Sequence, residues 1–247
     1  MIRTIAAKEL RALFSAPTAW TVLGFLQLVI AWVFLARLDS YLENQSQFAR
    51  FPTPPGLTEV IVAPVFSAAA IVLLMAVPML SMRMIAEERR NQTLSLLVSA
   101  PVTMTQIVLG KFIGLTAFLA VYVLIVAAVC ASLLVGGPLD GGLFAANALG
   151  LLLVCACFAA VGLFMSSLTA QPATAAITTL AVLLGSWLIN IGATDANSPT
   201  HLLSIVRHFE GFNKGLLDTG DVAWFVLVTA AFLALAVRRL DRDRLGA

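Results

Sequence analysis

Six apolar runs, at roughly residues 18–37, 60–82, 107–135, 143–168, 173–193 and 221–237, constrain this chain more than any other feature. A hydrocarbon layer of ~30 Å takes about 20 apolar residues in a helix, and inside it each backbone polar group must be satisfied by the segment itself. The predicted fold class is therefore an all-α integral membrane protein with six transmembrane helices. Of the 247 residues 60% are hydrophobic and 11% charged, with a mean hydropathy of +0.98, far from the balance of a water-soluble domain. The first run is too long for the apolar part of a signal peptide, and FLARLDSYL holds no small-residue cleavage pattern, so it reads as a retained span. No domain boundary or repeat interrupts the chain, and 1–247 reads as a single transmembrane domain.

Lys and Arg divide unequally between the two sides of these spans. With the N-terminus inside, the inner segments hold Arg3, Lys8, Arg11, Arg83, Arg89, Arg90, Lys111, Arg238, Arg239, Arg242 and Arg244; the outer ones hold Arg37, Arg50, Arg207 and Lys214. The positive-inside rule then predicts both termini in the cytosol. Net charge is only +2, and the basic residues sit at membrane edges without interleaved aromatics, so the chain has no footprint for nucleic acid.

Two segments outside the spans are patterned. Within 1–16, Ile2, Ile5, Ala6, Leu10, Leu13 and Phe14 recur at spacings of three and four, with Arg3, Lys8, Glu9 and Arg11 assigned to the other side. That is the pattern of an interfacial amphipathic helix, and Pro17 suits the first turn of the span that follows. Between spans two and three, 83–106 begins with the charged stretch Glu87, Glu88, Arg89 and Arg90 and continues through Thr93 to an apolar face at Leu94, Leu97 and Val98. Such a segment is predicted to dock on a cytosolic partner, its charges making polar rim contacts and its leucines filling a groove. Pro64 and Pro78 each remove a backbone donor from span two and predict a kinked or partly re-entrant helix. Gly110 and Gly114 form a G-x-x-x-G pair that permits close helix approach.

Most kinds of chemistry lack their residues. The chain has no G-x-x-x-x-G-K-[ST] phosphate loop, no H-E-x-x-H, no G-x-S-x-G and no cysteine–histidine cluster at zinc spacing. Cys155 and Cys157 point to nearly opposite sides of a helix and read as packing residues, as does Cys130. His201 and His208 share a face if their segment is helical, a pair without a third ligand. Met75, Met79 and Met82 also share a face, which suits Cu(I) or, more simply, a pliable packing stripe. Between Lys111 and Arg207 the ionisable side chains besides cysteines and Tyr122 are Asp140, Asp195 and His201, all three outside the spans, so self-contained ion-coupled transport is disfavoured.

Taken with the six spans and the leading surface helix, Glu87-Glu88-Arg89-Arg90-Asn91-Gln92-Thr93 through Leu96, Leu97, Pro101 and Val102, followed by Gly110-Lys111, resembles the permease subunits of ABC-2 type exporters, most closely the gliding-motility-type branch. The likeness extends to Lys8-Glu9-Leu10 with Ser15-Ala16-Pro17, to Ser166-Ser167-Leu168-Thr169, and to His208-Phe209 with Gly215 and Asp221-Val222. Gln92 stands where the family usually has glycine and Ser95 where it has glutamate. The resemblance implies an ABC-2 (type V exporter-like) permease fold in the bacterial inner membrane, working as a homodimer or with a related second permease. It also implies two cytosolic ABC ATPase subunits beneath, with 83–106 as the coupling segment. Nothing in this chain binds a cofactor; ATP and Mg would sit on the ATPase. Poorly charged spans suit an apolar or amphipathic cargo. A non-transporting membrane anchor, and copper or metallocofactor export along the methionine face, remain open as alternatives.

Overall fold

Hydropathy marks where a chain enters apolar surroundings, but a helix ends only where its backbone is stopped, and the two boundaries differ in this protein. The computed structural model describes residues 1–48, 56–93, 102–135, 137–192 and 204–245. Among them every regular element is helical: α1 (Ile2–Ser15), α2 (Pro17–Phe48), α3 (Ala63–Ser81), α4 (Ala86–Arg90), α5 (Met104–Ala131), α6 (Gly141–Leu168), α7 (Pro172–Gly192), α8 (Ile205–Asn213) and α9 (Thr219–Leu245). Six of these stretches are long and apolar enough to cross a membrane.

The expected first span ends at residue 37, yet α2 runs on to Phe48, and α9 continues past the expected 237 to Leu245. Both extensions are polar and contain no proline: 38–48 carries Leu, Gln and Glu, and 238–245 alternates Arg and Asp with Leu. Charge closes a membrane span without closing a helix. At ~1.5 Å per residue α2 is about 48 Å long, so it projects well beyond a ~30 Å hydrocarbon layer.

Span two opens with a π-helical turn, Thr58–Val62, that leads directly into α3, where Pro64 occupies the first turn. The wider π spacing takes the preceding carbonyls out of the i−4 pattern that a proline ring would strike. The second span is thus continuous rather than re-entrant. Pro78 lies inside α3, and the buried Ser81 hydroxyl donates back to its carbonyl at 3.5 Å.

α3 and α6 form the centre. In the most apolar window of each, 61% of residues are buried, against 22% in α2, 17% in α7 and 11% in α9. They cross so closely that a Cβ on Gly162 would collide with Ser81 Oγ. The peripheral helices present Trp20, Phe25, Trp32, Ile177, Leu188 and Leu227 outward. Such surfaces call for a membrane or a second protein, not water.

α1 does not simply float beside the bundle. It lies in the trough opened by Gly110 and Gly114 of α5, where an added Cβ would come within 2.7 Å of Ile5 Cβ and 2.8 Å of Glu9 Cβ, respectively. Ile2, Ile5, Ala6 and Glu9 face α5, and Phe14 meets Phe118 edge-on at 5.2 Å. Arg3, Lys8 and Arg11 point outward. Glu9 departs from expectation: assigned to the polar side, it is buried in the middle of the packed stripe.

Candidate functional site

Four helices converge on the short segment 82–93 that follows α3. Its shape is set from α6, whose buried Ser166 hydroxyl accepts from the N–H groups of Ile85 (3.1 Å) and Ala86 (3.0 Å) and donates to the Met82 carbonyl (3.1 Å). A single hydroxyl has one donor and two acceptor positions, and all three are used. The backbone groups freed between α3 and α4 are thereby satisfied away from water.

α4 then ends in a Schellman turn. The Gln92 N–H donates to the Arg89 carbonyl at 3.2 Å and the Thr93 N–H to the Glu88 carbonyl at 3.0 Å, with Gln92 in the left-handed region at φ 56°. That geometry favours glycine, so Gln92 holds it at a cost in backbone strain.

The side chains of α4 divide by direction. Glu88 and Arg89 turn into the bundle and are held there, whereas Glu87 and Arg90 are exposed. Glu88 Oε1 accepts from Lys111 Nζ at 2.7 Å, and the same ammonium donates to Glu9 Oε1 at 3.0 Å. Lys111 is only 1% exposed. Lys8 closes the cluster, its Nζ 3.3 Å from Glu9 and 3.8 Å from Glu88. Two carboxylates thus face two ammonium groups, the arrangement that makes a buried lysine tolerable. Arg89 Nη2 donates to the Ser167 carbonyl at 2.8 Å and to Asp243 Oδ2 at 2.5 Å, and Arg239 approaches the other Asp243 oxygen at 3.6 Å. Segment 82–93 is consequently tied to α1 and α5 through Glu88, to α9 through Arg89 and to α6 through Ser166.

Residues 3–245 match the sequence model of the family described as ABC-2 family transporter protein. The chain belongs to that family. It is a multi-pass membrane component of a transporter, and the six apolar helices are its membrane-crossing part. No curated protein matches the chain significantly.

In this ABC-2 protein the expected rim residues Glu88 and Arg89 spend their charges inside the bundle, while Glu87, Arg90 and Thr93 stay at the surface. Leu94, Leu97 and Val98 lie outside the described residues, as does His201. Beside Arg90 a cleft of about 750 Å³ opens between α4 and the start of α7, lined by Arg89, Gln92, Gln171 and Pro172. Of the interfacial-helix residues, Ile5, Leu10 and Phe14 are half-buried and Lys8 and Arg11 exposed. Met75 and Met79 are exposed on the flank of α3 and Met82 is half-buried at its end. Among the described residues no three His, Cys, Asp or Glu side chains gather in a metal-holding group.

The sequence reading passed over Lys111 as an ion-pair partner, Ser166 as a cap and Asp243 altogether. Lys111 did carry a signal: it is a lone charge in an otherwise apolar stretch, and a buried charge needs an opposite one. Asp243 carried none, because its place depends on the length of α9 and on how that helix packs. At the opposite end of the bundle His208 Nδ1 lies 2.6 Å from Asp221 Oδ1, and its ring stacks on Trp224 at 4.4 Å. This histidine has a structural partner that its pairing with His201 did not suggest.

Proposed function

We propose that the protein is the permease half of an ATP-driven exporter. Two copies, identical or paired with a related permease, would each sit on a cytosolic ABC ATPase that carries ATP and Mg, in a bacterial inner membrane with both termini cytosolic. The observation that supports this reading is the two-sidedness of segment 82–93. One side is bound to α1, α5, α6 and α9 through Glu88, Arg89 and Ser166. The other leaves Arg90 exposed and without an ion pair among the described residues, next to an open cleft and, in sequence, directly ahead of the apolar Leu94, Leu97 and Val98.

A partner that moves the free side displaces the bound side with it. Displacement then passes into helices that shift as packed bodies, because close-packed interiors have discrete arrangements. ATP hydrolysis stays on the partner; this chain supplies the lever and the path. The outward faces of α2, α7 and α9, made of Trp, Phe, Leu and Ile, suit an apolar or amphipathic cargo moving along the interface between subunits.

Co-purification of the tagged chain from its native membrane, with ATPase activity assayed on the product, tests the reading. An ATPase should accompany the wild type and be lost from Leu94→Asp/Leu97→Asp while thermal unfolding of the permease is unchanged. If no ATPase accompanies the wild type, or the double variant retains it in full, docking through this segment is wrong and the membrane-anchor reading replaces it.

A further inference from the structure

A groove open to the flank of the bundle runs between α2 and α3 in two contiguous stretches. The stretch at the α1 end encloses about 330 Å³ and has Thr18, Arg83 and Glu87 at its mouth. The stretch above it, about 210 Å³, is lined by Val22, Phe25 and Met79 and has hardly any polar surface. Val22 and Met79 line both, so the groove passes continuously from charged to apolar. From Thr18 to Phe25 at ~1.5 Å per residue it covers about 10 Å, most of one leaflet of a ~30 Å hydrocarbon layer.

The charges at the mouth are uncommitted. Arg83 and Glu87 are both exposed, and neither takes part in an ion pair among the described residues. Arg83 Nη1 donates only a long hydrogen bond, 3.4 Å, to Thr18 Oγ1. The third charged group at the mouth, Glu9, is already held by Lys111. A free guanidinium beside a free carboxylate, at the level where the membrane turns polar and above an apolar slot into the same leaflet, matches one class of molecule. We propose that the groove holds a zwitterionic aminophospholipid of the leaflet on the α1 side, its phosphate on Arg83, its ammonium on Glu87 and one acyl chain along Val22, Phe25 and Met79. Guanidinium suits a phosphate because its planar fork donates two parallel hydrogen bonds. A protein helix, ~10 Å across with its side chains, is too broad for a slot of this volume.

Native mass spectrometry of the purified full chain, incubated with equal amounts of phosphatidylethanolamine and phosphatidylglycerol, tests the proposal. It reads lipid on the permease alone, so its outcome is independent of whether Glu87 also borders an ATPase. The wild type should retain one phosphatidylethanolamine per chain in preference to phosphatidylglycerol. Arg83→Ala should lower retention about ten-fold, the equivalent of losing one charge-assisted hydrogen bond. Glu87→Gln should keep lipid bound but bring the preference between the two lipids close to one. Arg3→Ala, exposed on α1 and off the groove, should behave as wild type, and thermal unfolding should be the same for all four proteins. Equal retention by wild type and Arg83→Ala overturns the proposal, as does a wild type that carries both lipids without preference or saturation, the mark of annular lipid only. A wild type that retains no lipid also overturns it.

Discussion

The two ends of the bundle are fastened by different physics. At the α1 end the contacts are charged: Glu9, Lys111 and Glu88 in one cluster, Arg89 and Asp243 in another, linking helices far apart in sequence. At the opposite end the contacts are mostly packed rings. The short helix α8 drives Ile205, Phe209 and Phe212 inward, with Phe212 set so closely on Gly150 that an added Cβ would lie 2.7 Å from it. Polar contacts there are fewer and more local: Asn213 to Ser67 at 2.7 Å, the His208–Asp221 pair at 2.6 Å, and the Asp140 side chain capping α6 through the N–H groups of Gly142 and Leu143. Ring packing fills space and has one good arrangement, whereas ion pairs can exchange partners when a segment shifts. Exchangeable contacts thus sit where the proposed lever is, and fixed ones sit across the membrane from it.

Substitutions at the two ends can break or sharpen this contrast. The largest effect is expected from Lys111→Met, which removes the buried ammonium between Glu9 and Glu88, leaves them only the exposed Lys8, and should destabilise the chain by about 3 kcal/mol. Thermal unfolding in detergent reads it, and a negligible shift would mean that the inner cluster is not structural. At the packed end Phe212→Ala should cost about 3 kcal/mol through the cavity it leaves. An equal loss from Asp221→Asn without one from Phe212→Ala would reverse the assignment of that end to packing. The smallest effect concerns two helix ends of the same design. α4 closes on Gln92 and α8 on Gly215, both left-handed and both in Schellman turns. Gln92→Gly should raise stability by about 1 kcal/mol through relief of backbone strain, and Gly215→Ala lower it by at least as much, since its Cβ would impose that strain and also lie 2.9 Å from Leu143 Cδ1. If both lower it, the Gln92 side chain makes a contact worth more than the strain.

Much of this architecture was legible beforehand because a membrane simplifies the code. Apolar length alone locates the six spans, and α1 and the charged start of segment 82–93 show in their periodicity and charge. Helix ends were less legible: α2 and α9 outrun their spans because Leu, Glu, Gln and Arg continue a helix through the polar boundary. Directions of individual charges were least legible. Glu9 lies near the seam between the apolar and polar faces of α1, and only the presence of Lys111 across the Gly110/Gly114 trough decides that it turns in. Glu88 and Arg89 read as surface charges and are committed inward, while their neighbours Glu87 and Arg90 are not.

Sequence alone determined that the chain crosses a membrane six times, that it carries no phosphate loop of its own, and that a charged segment follows the second span. These are properties of composition and local period, which the bilayer enforces on any fold. Tertiary structure alone decided that Ser166, Lys111 and Asp243, lying 80, 23 and 154 residues from their partners Ala86, Glu88 and Arg89, all meet that segment. Long-range partners of this kind follow from how close helices can approach and from the requirement that each buried charge find an opposite one. Neither condition is written in any single stretch of the chain.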